Sequence, residues 1–266
     1  EARPELLLAR ARERFLAGRE REAEAADLRA AAERAAAAGV PSARLTFAAV
    51  GENLVAGDAR AAAAAADAAI TGGDEDAWLL YAAGIAKERL GSADAVGLFE
   101  RAVAAQPEFL PARLRLVRLR LVTGDLERAG AGLAALPEGS AQRGALGALA
   151  EAVRRLTEDQ LEGPPIAVGA TTADLPKMLH PVFAAAGLVS SAKAVAERRM
   201  KPGGSTDEGK TETLTAIGEA ETPTLALLFG RIALARRDET GALAAAERAL
   251  ALQPGSPDAV ALLPGA

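Results

Sequence analysis

Apolar residues recur at helical spacing along most of the chain, and glycines interrupt them at regular intervals. The turns have the form Gly-x-x-x-x-Ala at Gly18, Gly57 and Gly124, with a shortened version at Gly91; successive glycines are 39, 34 and 33 residues apart. A glycine accepts the positive φ that ends a helix, and a small alanine lets two helices approach closely. The pattern therefore predicts a tandem array of helix pairs.

The predicted pairs are 5–17 with 20–37, 42–56 with 59–71, 75–90 with 93–105, and 111–123 with 125–136. A helix near 141–157 begins a degenerate unit, a helix pair is expected near 178–200, and a last clear repeat covers 223–254 before another helix starts at 257–263. We accordingly expect an N-terminal array at 1–137, degenerate helical repeats with a flexible polar loop (201–211) at 138–221, and a C-terminal repeat at 222–266.

One passage alternates like a half-buried strand, since arginine and apolar residues follow each other from Arg113 to Leu121. Its position one helix length before Gly124 favours a helix instead. In a strict repeat register Arg113 and Arg120 would occupy packing positions. Either the aliphatic part of each arginine packs in the core while its guanidinium reaches solvent, or the turn of this repeat contains one extra residue.

Two segments carry a more specific pattern. The first has Gly84 in its first helix and Ala95, Phe99, Ala102 and Pro107 in and after its second. The second has Phe229, Gly230, Ala242, Ala249 and Pro254, although Ala246 stands at the aromatic position and Arg237 at the turn glycine. Both copies resemble the 34-residue tetratricopeptide repeat. The resemblance implies an α-α superhelix, a right-handed solenoid of antiparallel helix pairs, and a role in binding other proteins.

Composition agrees with an all-α protein. Hydrophobic residues make up 50% of the chain but aromatics only 3%, so alanine and leucine must form most of the core. The net charge of −5 argues against nucleic acid as the main partner. The chain has no cysteine and no apolar run of the roughly 20 residues that span a bilayer. We expect a soluble protein of the cytoplasm or periplasm that binds no cofactor and inserts in no membrane.

The chain begins at Glu1 without a methionine and stops at Ala266 within what looks like a new helix. We therefore expect it to be a piece of a longer protein. A solenoid end without a polar cap would also suit a structural subunit stacked within a larger assembly.

Residues Gly204–Thr211 match the phosphate-binding pattern G-x-x-x-x-G-K-[ST]. No apolar strand precedes them, and Asp207 and Glu208 would face the phosphates. Nucleotide binding is therefore the weaker alternative to a polar linker. His180, the single histidine, has no cysteine or second histidine with which to form a metal or Cys-His site. We expect no enzymatic activity.

A partner surface is suggested by Trp78, Tyr81 and Ile85, whose i, i+3, i+7 spacing puts them on one helix stripe. In the tetratricopeptide family the first helix of each pair lines the concave groove, and the equivalent positions of other repeats hold Phe47, Leu114 and Arg118, with Arg115 adjacent. The resemblance thus implies a groove for a protein segment with an apolar anchor and acidic flanks. The alternative is that Trp78 fills a buried core position.

Overall fold

Every element of regular structure in the described part of the chain is helical. The computed structural model describes residues 4–17, 21–158 and 214–263, with the isolated positions 166, 179, 184, 185, 188 and 189. The longer elements are helices α1 (Pro4–Ala17), α2 (Arg21–Ala37), α3 (Thr46–Val55), α4 (Ala59–Thr71), α5 (Ala77–Arg89), α6 (Asp94–Ala105), α7 (Leu110–Thr123), α8 (Leu126–Ala134), α9 (Ala141–Thr157), α10 (Pro223–Ala235), α11 (Glu239–Leu252) and α12 (Pro257–Val260). The predicted all-α class of paired helices is confirmed over these residues.

The turns between paired helices follow the predicted chemistry. Gly57, Gly91 and Gly124 all have positive φ, at 84°, 68° and 87°, as a helix-ending glycine requires. Asp58 and Asp125 come directly after two of them, and each carboxylate accepts the N–H of the residue three positions later. Glycine thus ends one helix and aspartate caps the next. The turn predicted at Gly18 lies outside the described residues.

The ends of α6 and α11, the arginine-rich segment and the start of α3 can also be compared with the sequence. Helix α6 ends at Ala105 and α11 at Leu252. Each stops one residue before a Gln-Pro step, at Pro107 and Pro254, where proline disfavours a continued helix. The alternating arginine segment lies within α7 and is helical, as its position indicated. Helix α3 begins later than expected, at Thr46, because residues Ser42–Leu45 form a separate 3₁₀ turn.

The chain divides into two compact units, Glu1–Arg113 and Leu114–Ala266. The predicted organisation into 1–137, 138–221 and 222–266 rests on the quality of the repeats rather than on compactness, and it stays a prediction. The polar loop at 201–211 lies outside the described residues. Of the helix pair expected near 178–200, the structure describes only the isolated positions 179, 184, 185, 188 and 189.

The first unit stacks three helix pairs, α1 with α2, α3 with α4, and α5 with α6. The first helices of consecutive pairs also touch, α1 against α3 and α3 against α5. Gly84 makes the third pair tight, since a Cβ there would lie 2.5 Å from a ring carbon of Phe99. Ala95 and Ala102, the predicted close-packing alanines of α6, are buried beside it. Small residues thus bring these helices close together.

The second unit has its own core, to which Leu146, Leu149 and Phe229 contribute. Helix α8 packs on α9, α9 contacts α10, and α10 and α11 form the last clear pair. Gly230 admits Leu262, whose Cδ1 would lie 2.5 Å from an added Cβ. The turn of this pair has Arg237 at the glycine position, and Arg237 adopts the left-handed φ of 55° that glycine would take without strain.

Candidate functional site

Six aromatic rings of the first unit form one continuous cluster. Trp78 lies 4.5 Å from Phe109 and 5.8 Å from Phe47, measured between ring centroids. Tyr81 lies 5.1 Å from Phe109, 5.9 Å from Phe99 and 6.0 Å from Phe15. Phe15 closes the cluster by contacting Phe47 at 5.7 Å. Tilted and edge-to-face rings at these distances attract one another beyond their hydrophobic burial.

This cluster places four of the predicted partner-binding residues in the interior. Phe47, Trp78, Tyr81 and Ile85 are each at most 8% exposed. Phe15 of α1 reaches across α3 to Tyr81, and it can do so because α3 has a glycine, Gly51, against the Phe15 ring. The stripe is therefore filled by the protein's own side chains. Its burial favours the alternative reading, in which Trp78 belongs to the core.

The remaining predicted site residues lie on α7 and are not equivalent to one another. Leu114 belongs to the hydrophobic core of the second unit. Arg118 is also buried, whereas Arg115 is half-buried. The α7 residues therefore do not form one exposed row, and a role for Arg115 in binding a partner stays a prediction.

Arg12 of α1 is a polar side chain that lies against the aromatic cluster. Its guanidinium carbon lies 5.0 Å from the centroid of the Trp78 ring, within the range of a cation–π contact. One terminal nitrogen lies 3.5 Å from Asp76 Oδ2, and the two side chains are 21% and 22% exposed. Two N–H groups of this assembly, Arg12 Nε and Trp78 Nε1, are buried and meet no hydrogen-bond partner in the described residues.

The charges around Arg12 are unevenly matched. Its pKa is lowered, chiefly because burial disfavours the charged form and also because Arg44 is close, while Asp76 and Glu5 act in the opposite direction. Arg44 itself is held by Glu5 through two hydrogen bonds of 2.9 and 3.2 Å. Those bonds lower the pKa of Glu5. Arg44 thus has a bidentate partner, and Arg12 has only a longer contact.

Sequence reasoning did not place Arg12 or Asp76 in a site, although one signal was available. Arg12 lies on the same stripe of α1 as Leu8 and Phe15, at spacings of four and three residues. A charged residue within an apolar stripe needs a partner from elsewhere in the fold. The identity of that partner, Asp76, depends on how α3 packs between α1 and α5.

A second surface feature of the first unit is an open cleft of about 420 Å³ between α4, α5 and α6. Leu98 and Ile70 line it, and Lys87, another lining residue, forms a 2.7 Å ion pair with Asp67. The charges that line the cleft are of both signs, and the closest pair is already satisfied internally.

The described residues contain no group of histidine, cysteine, aspartate and glutamate side chains that could hold a metal ion. Among the same residues, no helix is both long enough and apolar enough to cross a membrane. His180 and the Gly204–Thr211 pattern lie outside the described residues.

Comparison with known proteins supports the resemblance read from the sequence. Residues 92–153 match the sequence model of the tetratricopeptide repeat. The crystal structure of a tetratricopeptide repeat protein from Parabacteroides merdae ATCC 43184 is similar, with a TM-score of 0.52 over 98% of this chain and 97% of that chain. The two sequences are 14% identical, so the likeness shows the fold alone. No curated protein sequence matches this chain.

Proposed function

We propose that this chain, which carries tetratricopeptide repeats at residues 92–153, is a non-catalytic scaffold that binds a segment of another protein. Repeats of this kind generally mediate protein–protein interaction. The partner segment would have an apolar anchor flanked by acidic residues.

The observation that carries the proposal is the side-by-side contact of the first helices in the first unit, α1 with α3 and α3 with α5. Stacked helices of this kind offer a ligand a shared face. In α5 every residue from Ala77 to Ala86 is buried, so α1 and α3 supply the exposed positions of this face. We call this face the first-helix face. The aromatic cluster lies beneath it and would hold it rigid, which lowers the entropic cost of binding.

Exposed positions on α3 provide a test of this face. Ala49 is exposed on α3, the middle helix of the first-helix face, while Ala64 is exposed on α4, a second helix. Replacing either by arginine adds the same bulk and charge without disturbing a buried contact. The immobilised chain should capture a partner from a lysate of the source organism, identified by mass spectrometry. Ala49→Arg should lose that partner and Ala64→Arg should retain it.

Both variants should first be shown to keep the melting temperature of the wild type. Capture that is equal for the two arginine variants would place binding away from the first-helix face. A wild-type chain that retains no partner above the level of an unrelated protein of similar charge would overturn the proposal.

The alternative is a structural subunit of a larger assembly. The last helix pair of the second unit exposes Leu234 and Leu243 to 47% and 39%, and apolar side chains exposed on a helix pair suit packing against a further subunit. This role predicts a stoichiometric complex that survives high salt and is insensitive to both alanine-to-arginine changes.

A further inference from the structure

Arg12 is a charged group on the aromatic cluster whose hydrogen-bonding capacity is poorly satisfied. A guanidinium carries five N–H donors and no acceptor, yet within the described residues the Arg12 guanidinium makes only the 3.5 Å contact with Asp76 and the stacking on Trp78. Its Nε–H is buried without an acceptor. Buried polar groups are nearly always hydrogen-bonded, so an exception of this kind calls for an explanation.

Asp76 is a poor partner because it is already in use. Its Oδ1 accepts the backbone N–H of Trp78 at 2.9 Å and so caps the start of α5. Its Oδ2 is left to face Arg12 at a distance that is longer than a charge-assisted hydrogen bond. A rotation that brought both carboxylate oxygens onto Arg12 would take Oδ1 away from the helix cap.

The guanidinium is also held ready for a ligand. Its carbon lies 5.0 Å from the centroid of the Trp78 ring, a contact that restricts the side chain. The Arg12 side chain is 21% exposed, which leaves a path for an incoming group. The neighbouring Arg44 does not compete for that group, because Glu5 already occupies it through two hydrogen bonds.

We propose that Arg12 receives a side-chain carboxylate of the partner segment, with Trp78 as the platform that orients the guanidinium and Asp76 as the internal acid that competes with the ligand. This inference rests on the proposed scaffold function and assigns its acid-recognising residue. A carboxylate and a guanidinium match in a planar, two-bond geometry. The incoming group would accept from the terminal N–H groups of Arg12, since Nε is buried. Asp76 keeps its place at the cap and loses only its weak contact with Arg12.

Tryptophan fluorescence can report on binding at Arg12, because Trp78 is the only tryptophan of the chain. The full chain is titrated with N-acetyl-leucyl-glutamate amide, a blocked dipeptide with one apolar and one acidic side chain, at constant ionic strength, and Trp78 fluorescence is recorded. We expect a saturable change. N-acetyl-leucyl-glutamine amide, which lacks the charge, should bind at least about tenfold more weakly, a factor that corresponds to roughly 1.4 kcal/mol.

A third probe, N-acetyl-leucyl-leucine with a free terminal carboxylate, separates the two sources of a carboxylate. It should bind more weakly than the glutamate peptide. Tighter binding of this probe would show that the site recognises chain ends and would overturn the assignment to a side chain, as would equal binding of the glutamate and glutamine peptides.

Three variants test the residues themselves. Arg12→Gln should abolish the preference for glutamate over glutamine, while Arg10→Gln, the same change at an exposed position of the same helix, should leave it intact. Asp76→Asn retains an N-cap side chain but removes the competing charge, so it should tighten glutamate binding several-fold. A purely structural Arg12–Asp76 pair predicts no such gain.

Melting temperatures distinguish a binding role from a structural one. If Arg12 is a ligand site, Arg12→Gln should melt close to the wild type, since it loses only the 3.5 Å contact with Asp76 and the contact with the Trp78 ring. If Arg12→Gln unfolds, the titration of Asp76→Asn becomes the deciding test. An affinity for the glutamate peptide that Asp76→Asn leaves unchanged would overturn the proposal. A chain that captures its partner through the first-helix face equally well with Arg12→Gln would refute this site while leaving the scaffold function in place.

Discussion

Gly84 of α5 and Gly97 of α6 lie on paired helices, but the first is tightly packed and the second is open. An added Cβ at Gly84 would lie 2.5 Å from Cε1 of Phe99, whereas nothing lies within 4 Å of an added Cβ at Gly97. Gly84→Ala should therefore lower the free energy of unfolding by about 1–3 kcal/mol through overpacking. Gly97→Ala should raise it by about 1 kcal/mol, because alanine favours the helix. Urea unfolding followed by circular dichroism measures both.

The two substitutions are chemically identical, so each controls the other. Equal stabilisation by both would mean that the Phe99 ring moves aside at little cost. Phe99 would then not define the spacing of α5 and α6.

Arg237 makes a separate prediction at the residue scale. It adopts a φ of 55° at the turn between α10 and α11, where other turns of this chain have glycine. The left-handed region costs a non-glycine residue about 1–2 kcal/mol. Arg237→Gly should therefore raise the melting temperature. Gly124→Ala, at a φ of 87°, is the reverse change and should lower it. A fall with Arg237→Gly would show that the contacts of the arginine side chain outweigh its backbone strain.

At the scale of the elements, the aromatic cluster links α1, α3 and α5 into one core. Trp78→Ala removes the ring that contacts Phe47 and Phe109 and supports Arg12. We expect a loss of about 3–5 kcal/mol in the free energy of unfolding. Leu6→Ala, at a position of α1 that is 62% exposed, should change it by less than about 0.5 kcal/mol.

The unfolding curves should be compared at equal protein concentration. A small effect of Trp78→Ala would mean that the ring contributes little to packing and would revive its role as a contact for a partner. The near-ultraviolet circular dichroism that remains in Trp78→Ala comes chiefly from Tyr81, the single tyrosine of the chain, and it should weaken if Tyr81 loses its fixed packing around the cavity.

Helix α9 makes a prediction about pH. Glu151 accepts hydrogen bonds from Arg154 at 2.9 and 3.0 Å and from Arg155 at 2.7 Å, and these bonds lower its pKa. A carboxylate with a lowered pKa in the folded state stabilises the fold above its unfolded pKa, about 4.3. That contribution is lost as the pH falls through the lower folded value.

Between neutral and acid pH, Glu151→Gln should therefore lose less stability than the wild type. Glu127→Gln on α8, where glutamate is exposed, should show the full loss. Thermal melts at a series of pH values test this, and parallel curves for all three proteins would contradict it.

The helices could be predicted from sequence because their signals are local. Gly57 and Gly124 mark the turns, and Pro107 marks an end, each within a few residues of the helix that it delimits. The burial of Tyr81 could not be predicted in the same way. It depends on Phe15, which lies far from Tyr81 in the chain and reaches it only because Gly51 leaves room on α3.

The same reason explains why Arg12 was not assigned to a site. The stripe Trp78–Tyr81–Ile85 was correctly placed on one helix, but spacing along a helix cannot tell whether a stripe faces solvent or a neighbouring element. The difference is decided by the side chains of α1, which belongs to another repeat.

At the scale of the whole molecule, nucleotide binding is a separate expectation about Gly204–Thr211. Calorimetry with magnesium and ATP at millimolar concentration should give no heat that Lys210→Ala removes, because the sequence offers neither a preceding strand nor a second magnesium carboxylate. A micromolar signal that depends on Lys210 would instead support a nucleotide-dependent protein. The Arg10→Gln variant, which removes a positive charge elsewhere, controls for charge alone.

The open surroundings of Gly97 make that position a suitable site for attaching a label. The chain contains no cysteine, so a Gly97→Cys substitution would introduce the single thiol of the protein at a site where an added side chain meets nothing within 4 Å. A maleimide dye or biotin attached there would sit on α6, a second helix. Molecules tethered through it would share one known orientation on a sensor surface, with α1 and α3 left open to a ligand in solution.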